Sequence, residues 1–255
     1  MGIDQLYQTW VEIPKGDVSF LQDAFLKFYR AWFMEDRWMM YFKGLGMTIQ
    51  LTVIALCIGV FLGLLVATIR TAHDQQRPGH HNPLLGLVNV ICRVYVTVIR
   101  GTPMLVQLMI MGLVIFSTTR DLTMVGALTL GINSGAYVAE IIRGGLMSLD
   151  PGQMEAGRSL GLGYVDTMRF IVIPQAFKAI LPALGNEFIV LLKDTSLISV
   201  ISGKEIIYFA QAISSKTYEA MYPLLISAVM YLIMVLIFTW LQGKLERRLR
   251  QSDRR

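Results

Sequence analysis

Five stretches of the chain stay apolar long enough to cross a bilayer: 45–69, 84–116, 124–142, 180–200 and 221–243. A helix rising 1.5 Å per residue needs roughly 20 residues to span about 30 Å of hydrocarbon. The 84–116 run is long for one crossing and short for two. RGTP at 100–103 interrupts it, and Gly101 and Pro103 free backbone groups from a helical ladder. The pattern therefore predicts one crossing with a break, and an all-α membrane protein of about five transmembrane helices.

The segments between these runs carry their own signals. In residues 1–43, Phe20, Leu21, Ala24, Phe25, Phe28 and Trp32 recur at helical spacing, and Ser19 with Gln22 forms a capping box. Asp23, Lys27 and Arg30 fall on another face, so the helix either lies in the membrane interface or packs on the protein's own spans. Gly59 and Gly63 form a GxxxG pair that lets another helix approach closely, within the bundle or from a second subunit. The polar loop 70–83 contains His73, His80 and His81. No carboxylate or thiol cluster accompanies them, which argues for a solvated loop rather than a metal site.

The loop at about 146–178 is different. Residues 150–174 read DPGQMEAGRSLGLGYVDTMRFIVIP. Asp150 is placed to cap a helix with Pro151 at its first position and Gln153 three residues after the cap. Gly161 is placed to end that helix, near residue 160, in a left-handed conformation. A second short helix over 165–172 is expected to stop before Pro174. The product is a helix–turn–helix knob between spans three and four, a shape that suits a grooved partner.

Charge sets the expected orientation. Only 16% of residues are charged and the formal net charge is +5, with a mean hydropathy of +0.53. Lys244, Arg247, Arg248, Arg250, Arg254 and Arg255 crowd the 244–255 tail. A basic tail after an apolar run reads as cytoplasmic. Counting back places the knob and the 70–83 loop inside as well, and the N-terminal segment outside. The same tail follows a span instead of forming a separate domain, so nucleic acid is not the expected partner. Cys57 and Cys92 sit in apolar runs with no disulfide or metal spacing. The first apolar run is too long for a cleaved signal peptide.

Glu155, Ala156 and Gly157, three residues, Gly161, nine residues, then Ile171-x-Ile173-Pro174 resemble the EAA loop of bacterial ABC-importer permeases. Gly157 stands where the family pattern has its second Ala, a change that loosens a helix by about 1 kcal/mol, and Ile173 stands in place of Leu. RGTPMLVQL at 100–108, GAYVAEIIRGG at 135–145, GQMEAGRSLG at 152–161 and LLKDTSLISVI at 191–201 resemble the polar amino acid uptake subfamily. The resemblance covers about residues 41–245.

That resemblance implies the type I importer permease fold, in a multi-pass protein of the bacterial plasma membrane. It implies that Glu155, Ala156, Gly157, Gly161, Ile171 and Pro174 couple to a cytoplasmic ABC ATPase dimer. It also implies a second permease subunit, identical or homologous, an extracytoplasmic amino-acid-binding protein and a polar amino acid substrate, all working in membrane lipid. ATP and Mg are expected on the ATPase, and no cofactor on this chain, which has no GxxxxGK[ST] loop; Gly203-Lys204-Glu205 is not one.

Polar residues inside spans mark a candidate path. They are Asn133, Ser134, Tyr137 and Glu140 on span three, Asn186 and Glu187 on span four, and Lys193, Asp194, Thr195 and Ser196 toward its far end. A buried Asp or Glu suits a substrate ammonium, and backbone N–H groups freed near Gly101 suit its carboxylate. The competing expectation is a polar lock, Lys193–Asp194 or Arg143–Glu140, that only fastens helices, with RGTP a bend and nothing more. An ion-gradient-driven secondary transporter is the alternative function, and the paired broken helices common in that class are not found. No HExxH, GxSxG or paired-carboxylate motif supports an enzyme or any catalytic residue.

Overall fold

In the computed structural model, which describes residues 2–14, 18–76, 82–150 and 152–252, each apolar run lies in a long helix. Five helices among the described residues are long and apolar enough to cross a membrane, and no strand occurs among those residues. In order the helices are α1 (Ile3–Val11), α2 (Phe20–Trp32), α3 (Arg37–Asp74), α4 (Pro83–Gly101), α5 (Met104–Met109), α6 (Leu122–Met147), α7 (Gly152–Ser159), α8 (Tyr164–Thr167), α9 (Ile173–Asp194), α10 (Ile206–Thr217) and α11 (Met221–Ser252). Wider-wound turns extend α5 through Ile110–Ile115 and join α8 to α9 through Met168–Val172. A tight 3-10 stretch, Thr195–Ile201, prolongs α9.

Span α6 is the axle of the bundle and the most buried of the five; α4 and α11 lie outermost. It meets α3 through small residues on both sides. A Cβ on Gly59 would lie 2.8 Å from Ser134 Oγ and one on Gly63 2.5 Å from Val138, while Gly131 and Gly135 answer against Ile58 and Leu62. Lipid provides no hydrophobic drive between helices, so this backbone-to-backbone contact supplies dispersion energy that bulkier residues would forfeit. The Gly59–Gly63 pair thus serves packing within the chain.

Those contacts also give direction. Gly59 pairs with Ser134 and Gly63 with Val138, so α3 and α6 run parallel, and the chain between them crosses back once. The break falls at Thr102–Pro103, between α4 and α5. Gly145 meets Ile180 and Gly126 meets Ile198, so α9 runs antiparallel to α6. Gln242 donates to the Pro182 carbonyl (3.1 Å) while Tyr231 reaches Glu205 (2.6 Å), which sets α11 antiparallel to α9. The end of α3, the α7–α8 knob and the end of α11 therefore share one end of the bundle. The α1–α2 hairpin and α10 share the other.

Several boundaries differ from the sequence pattern. The first spanning helix begins at Arg37, not near residue 45, and the fourth at Ile173, not near residue 180. The expected stop before Pro174 does not occur. Helix α9 runs through Pro174 and Pro182, because the π-wound turn just before Pro174 relaxes the i→i−4 pairing that proline would otherwise break. The knob's loop is correspondingly shorter than 146–178. Most of the basic tail continues α11 as helix, to Ser252.

The N-terminal hairpin packs on the protein's own spans. The capping box forms, with Ser19 N–H donating to Gln22 Oε1 (2.9 Å) and Gln22 N–H to Ser19 Oγ (3.4 Å). Tyr7 stacks on Tyr29 with centroids 4.2 Å apart. Ala31 is buried in a cluster with Tyr41, Ile213 and Ile226, while Phe20 and Leu21 remain exposed. Arg37 fastens the hairpin to α3: it is 5% exposed, donates to the Arg30 carbonyl (2.6 Å) and pairs with Glu35 (3.2 Å).

Candidate functional site

Two features stand out, one at the end of the bundle and one inside it. The first is the knob. Asp150 caps α7, with the Gly152 N–H donating to Asp150 Oδ1 (2.8 Å) and the Gln153 N–H to its carbonyl (2.9 Å). Pro151 lies outside the described residues. The far end of α7 closes with the paired bonds of a Schellman motif: Leu162 N–H to Gly157 O (3.0 Å) and Gly161 N–H to Arg158 O (2.9 Å). Gly161 has φ +79°, the left-handed conformation its position predicts.

Helix α7 folds back on α8 through Gly157, which is buried against Thr167. Thr167, itself fully buried, donates to the Gly163 carbonyl (2.9 Å). Gln175 Nε2 donates to Gln153 Oε1 (3.1 Å), tying the knob to the start of α9. The Tyr164 hydroxyl donates to Gln75 beside the end of α3. The outward face carries Glu155 and Ala156, with Pro174 also exposed and Ile171 half-buried. Leu160, Val165 and Phe170 are exposed at 77%, 71% and 64%. Three large apolar side chains uncovered on a protruding knob mark a contact surface. Their positions lie between the motif's fixed residues, so the motif gave no signal for them.

The second feature is a polar track across α4, α5, α6 and α9. Ser134 Oγ donates to the carboxylate of Glu187 (2.7 Å), and both residues are buried. Asn133 Nδ2 donates to Gln107 Oε1 (3.0 Å). The Gln107 amide donates in turn to the Ile99 carbonyl (2.7 Å) and to Thr102 Oγ1 (2.7 Å). Pro103 has no N–H to offer the Ile99 carbonyl four residues earlier, so Gln107 satisfies the acceptor that this missing helical bond leaves open. The Tyr95 hydroxyl donates to the Ile132 carbonyl (2.5 Å), and Arg100 lies over the Tyr137 ring at 5.2 Å. Gln107, Tyr95 and Arg100 are additions to the sequence's candidates.

The remaining candidates divide. Glu187 and Asp194 stand two turns apart on α9, close enough to repel each other when both are charged. Asn186 is exposed and Asp194 and Ser196 half-buried, so these three face accessible space. Thr195 is buried and its hydroxyl is taken by the Leu192 carbonyl (2.7 Å). Glu140 lies apart, toward the knob end, gripped by Arg143 (3.0 Å) and by Arg70 of α3. Its carboxylate is already shared by two guanidinium groups, which fastens α3 to α6. No three His, Cys, Asp or Glu side chains converge as metal ligands among the described residues; His80 and His81 lie outside them.

Known proteins resemble this chain along most of its length. Residues 83–251 match the family model described as the binding-protein-dependent transport system inner membrane component. The chain is 34% identical over 214 residues to the arginine transport system permease protein ArtQ of Bacillus subtilis (strain 168), covering 83% of this chain and 93% of that protein. It is 35% identical over 212 residues to the glutamine transport system permease protein GlnP of Escherichia coli (strain K12), covering 82% and 92%. Among solved structures, an amino acid ABC transporter crystallised with histidines superposes with a TM-score of 0.73 at 43% identity, over 82% of this chain and 94% of that one. The methionine ABC transporter MetNI, in an inward-facing conformation, shares the fold with a TM-score of 0.69 at 17% identity, over 84% and 98%.

Proposed function

The chain belongs to the family of binding-protein-dependent transport system inner membrane components, and from that premise we propose that it is the membrane-spanning subunit of an ABC importer for polar amino acids. The observation that carries the reading is the knob: a helix capped at both ends, tied to α9 through Gln153 and Gln175 and to the end of α3 through Tyr164 and Gln75, with Leu160, Val165 and Phe170 uncovered. A rigid amphipathic helix seated in a groove is a standard way to pass force or position between proteins. The partner is a cytoplasmic ATPase, two copies of which hydrolyse ATP with Mg. Glu155, Ala156, Gly157, Gly161, Ile171 and Pro174 build the handle that it holds, and α9, continuous with the knob through Met168–Val172, carries its motion into the bundle.

Along the same α9 lie Asn186, Glu187, Asp194 and Ser196, with Asn133 opposite. The amino acid's ammonium meets the carboxylates and its polar groups meet the amides and hydroxyl, with a second permease subunit completing the path. We assign Glu140 to fastening and Thr195 to the local fold, and Tyr137 with Arg100 to the entrance beside the break. An extracytoplasmic binding protein delivers substrate to the end that bears the hairpin. ArtQ and GlnP are named for arginine and glutamine transport, consistent with a substrate of that class.

The test is reconstitution of the chain with its ATPase and binding protein in proteoliposomes. Val165→Asp is expected to leave insertion and thermal stability within about 0.5 kcal/mol of the parent, as for an exposed site, yet to abolish ATPase association and ATP-dependent amino acid uptake together. Normal uptake by that variant overturns the coupling role of the knob.

A further inference from the structure

The outer surface of the bundle holds a groove of about 890 Å³ between α2, α3 and α11, a size typical of ligand sites. Phe28 and Trp32 of α2 roof one end, Leu45 and Ile49 of α3 form one wall, and Val229 and Ile233 of α11 the other; carbon lines it almost throughout. Val229 and Ile233 are about half exposed, so the groove opens sideways, toward hydrocarbon. It extends along α11 from Tyr222 to Phe238, about 24 Å of helix. That is rather more than one leaflet of a bilayer core about 30 Å thick.

Two occupants suit such a groove, another helix or an acyl chain. Membrane helices associate through small residues that let backbones close up, as Gly59 and Gly63 do against α6. The lining of this groove includes no Gly, Ala, Ser or Thr; it is built of Phe, Trp, Tyr, Leu, Ile, Val and Met. A helix would be held off by those side chains, whereas a flexible chain follows their contour. The roofed end reaches Trp32 and Tyr222, with Lys27 paired to Glu219 (3.6 Å) close by. Aromatic and charged groups of this kind gather at the headgroup level. We propose that the groove is a phospholipid site, holding an acyl chain of a lipid from the leaflet at the hairpin end, with α2 as its roof. The roof and the α3 wall both lie before the family match at 83–251.

The experiment uses the full chain in lipid nanodiscs that contain a phosphatidylethanolamine with a photoactivatable diazirine in its acyl chain. Crosslinks are expected to concentrate in peptides spanning 28–49 and 221–238. Val229→Trp, which fills the groove from an exposed position, should cut them severalfold while labelling on the outer face of α4, at Val90 and Val94, is unchanged. Ile233→Trp serves as a second filling variant, with gel-filtration behaviour confirming the fold of whichever is used. Equal labelling of the α4 and α11 outer faces, or labelling that neither filling variant reduces, overturns the site. Disulfide-linked dimers of Val229→Cys under mild oxidation would show a second copy in the groove, and would overturn it too.

Discussion

A Cβ added to Gly157 would lie 2.4 Å from Cγ2 of Thr167 and 2.6 Å from its Oγ1. The family motif has Ala at this place, and helix propensity alone makes Ala better than Gly by about 1 kcal/mol. Packing reverses the sign here, because Thr167 is fully buried and β-branched and has little freedom to turn aside. Gly157→Ala should therefore destabilise the knob by about 1–3 kcal/mol, the usual cost of overpacking, and weaken ATP-coupled uptake. Thr167→Ala removes both atoms in the way, so the double variant should recover most of the loss, with a coupling energy of about 0.5–3 kcal/mol in a thermal-melt cycle. Additive effects would show that the two residues do not oppose each other. The same contrast explains what single residues disclose in sequence. Asp150 and Gly161 were legible because a cap and a left-handed stop are local chemistry. Gln107, Arg70 and Thr167 were not, because their roles depend on Asn133, Glu140 and Gly157, residues distant in sequence or defined by a fold-back.

Helices show a similar division. The single crossing broken at RGTP was legible, since Pro103 cannot donate to a ladder. The passage of α9 through Pro174 was not, since a π-wound turn leaves no mark in hydrophobic periodicity. Helix α10 escaped notice because its 12 residues are too few to cross and carry no long apolar run. Its start is nonetheless firmly held. Glu205, fully buried, accepts from the Tyr208 N–H (2.8 Å) and from the Tyr231 hydroxyl (2.6 Å) of α11. Burial pushes the Glu205 carboxyl up to about 7, against the opposing pull of those donors. A carboxyl whose folded value lies above its unfolded one stabilises the fold fully below the unfolded value near 4.5, and that contribution is lost as pH rises through about 7. A shift of that size is worth on the order of 3 kcal/mol. The parent should melt higher at pH 5.5 than at pH 8.5, and Glu205→Gln, neutral throughout, should flatten that difference while keeping a cap on α10. An unchanged pH difference in the variant would remove Glu205 as its source.

At the scale of the molecule, one relation organises the rest: α3 and α6 are parallel, so the knob, the end of α3 and the basic end of α11 share one end of the bundle. The sequence led to the same sharing of ends by placing the Lys- and Arg-rich 244–255 tail on one side of the membrane and counting back through a single crossing between 84 and 116. What charge does not encode is the lateral order of the spans, which rests on the glycine contacts between α3 and α6. The orientation is open to direct test. With Cys57 and Cys92 replaced by Ser, Tyr218→Cys places a thiol at a 95% exposed position on the hairpin end, and Leu160→Cys one at a 77% exposed position on the knob. A membrane-impermeant maleimide applied to spheroplasts should modify Tyr218→Cys at once and Leu160→Cys only after permeabilisation. The opposite pattern would put the knob outside, out of reach of any cytosolic ATPase. Protection of Leu160→Cys in permeabilised membranes that retain the ATPase, and its loss when the ATPase is stripped away, would locate the partner on the face where Leu160, Val165 and Phe170 are left uncovered.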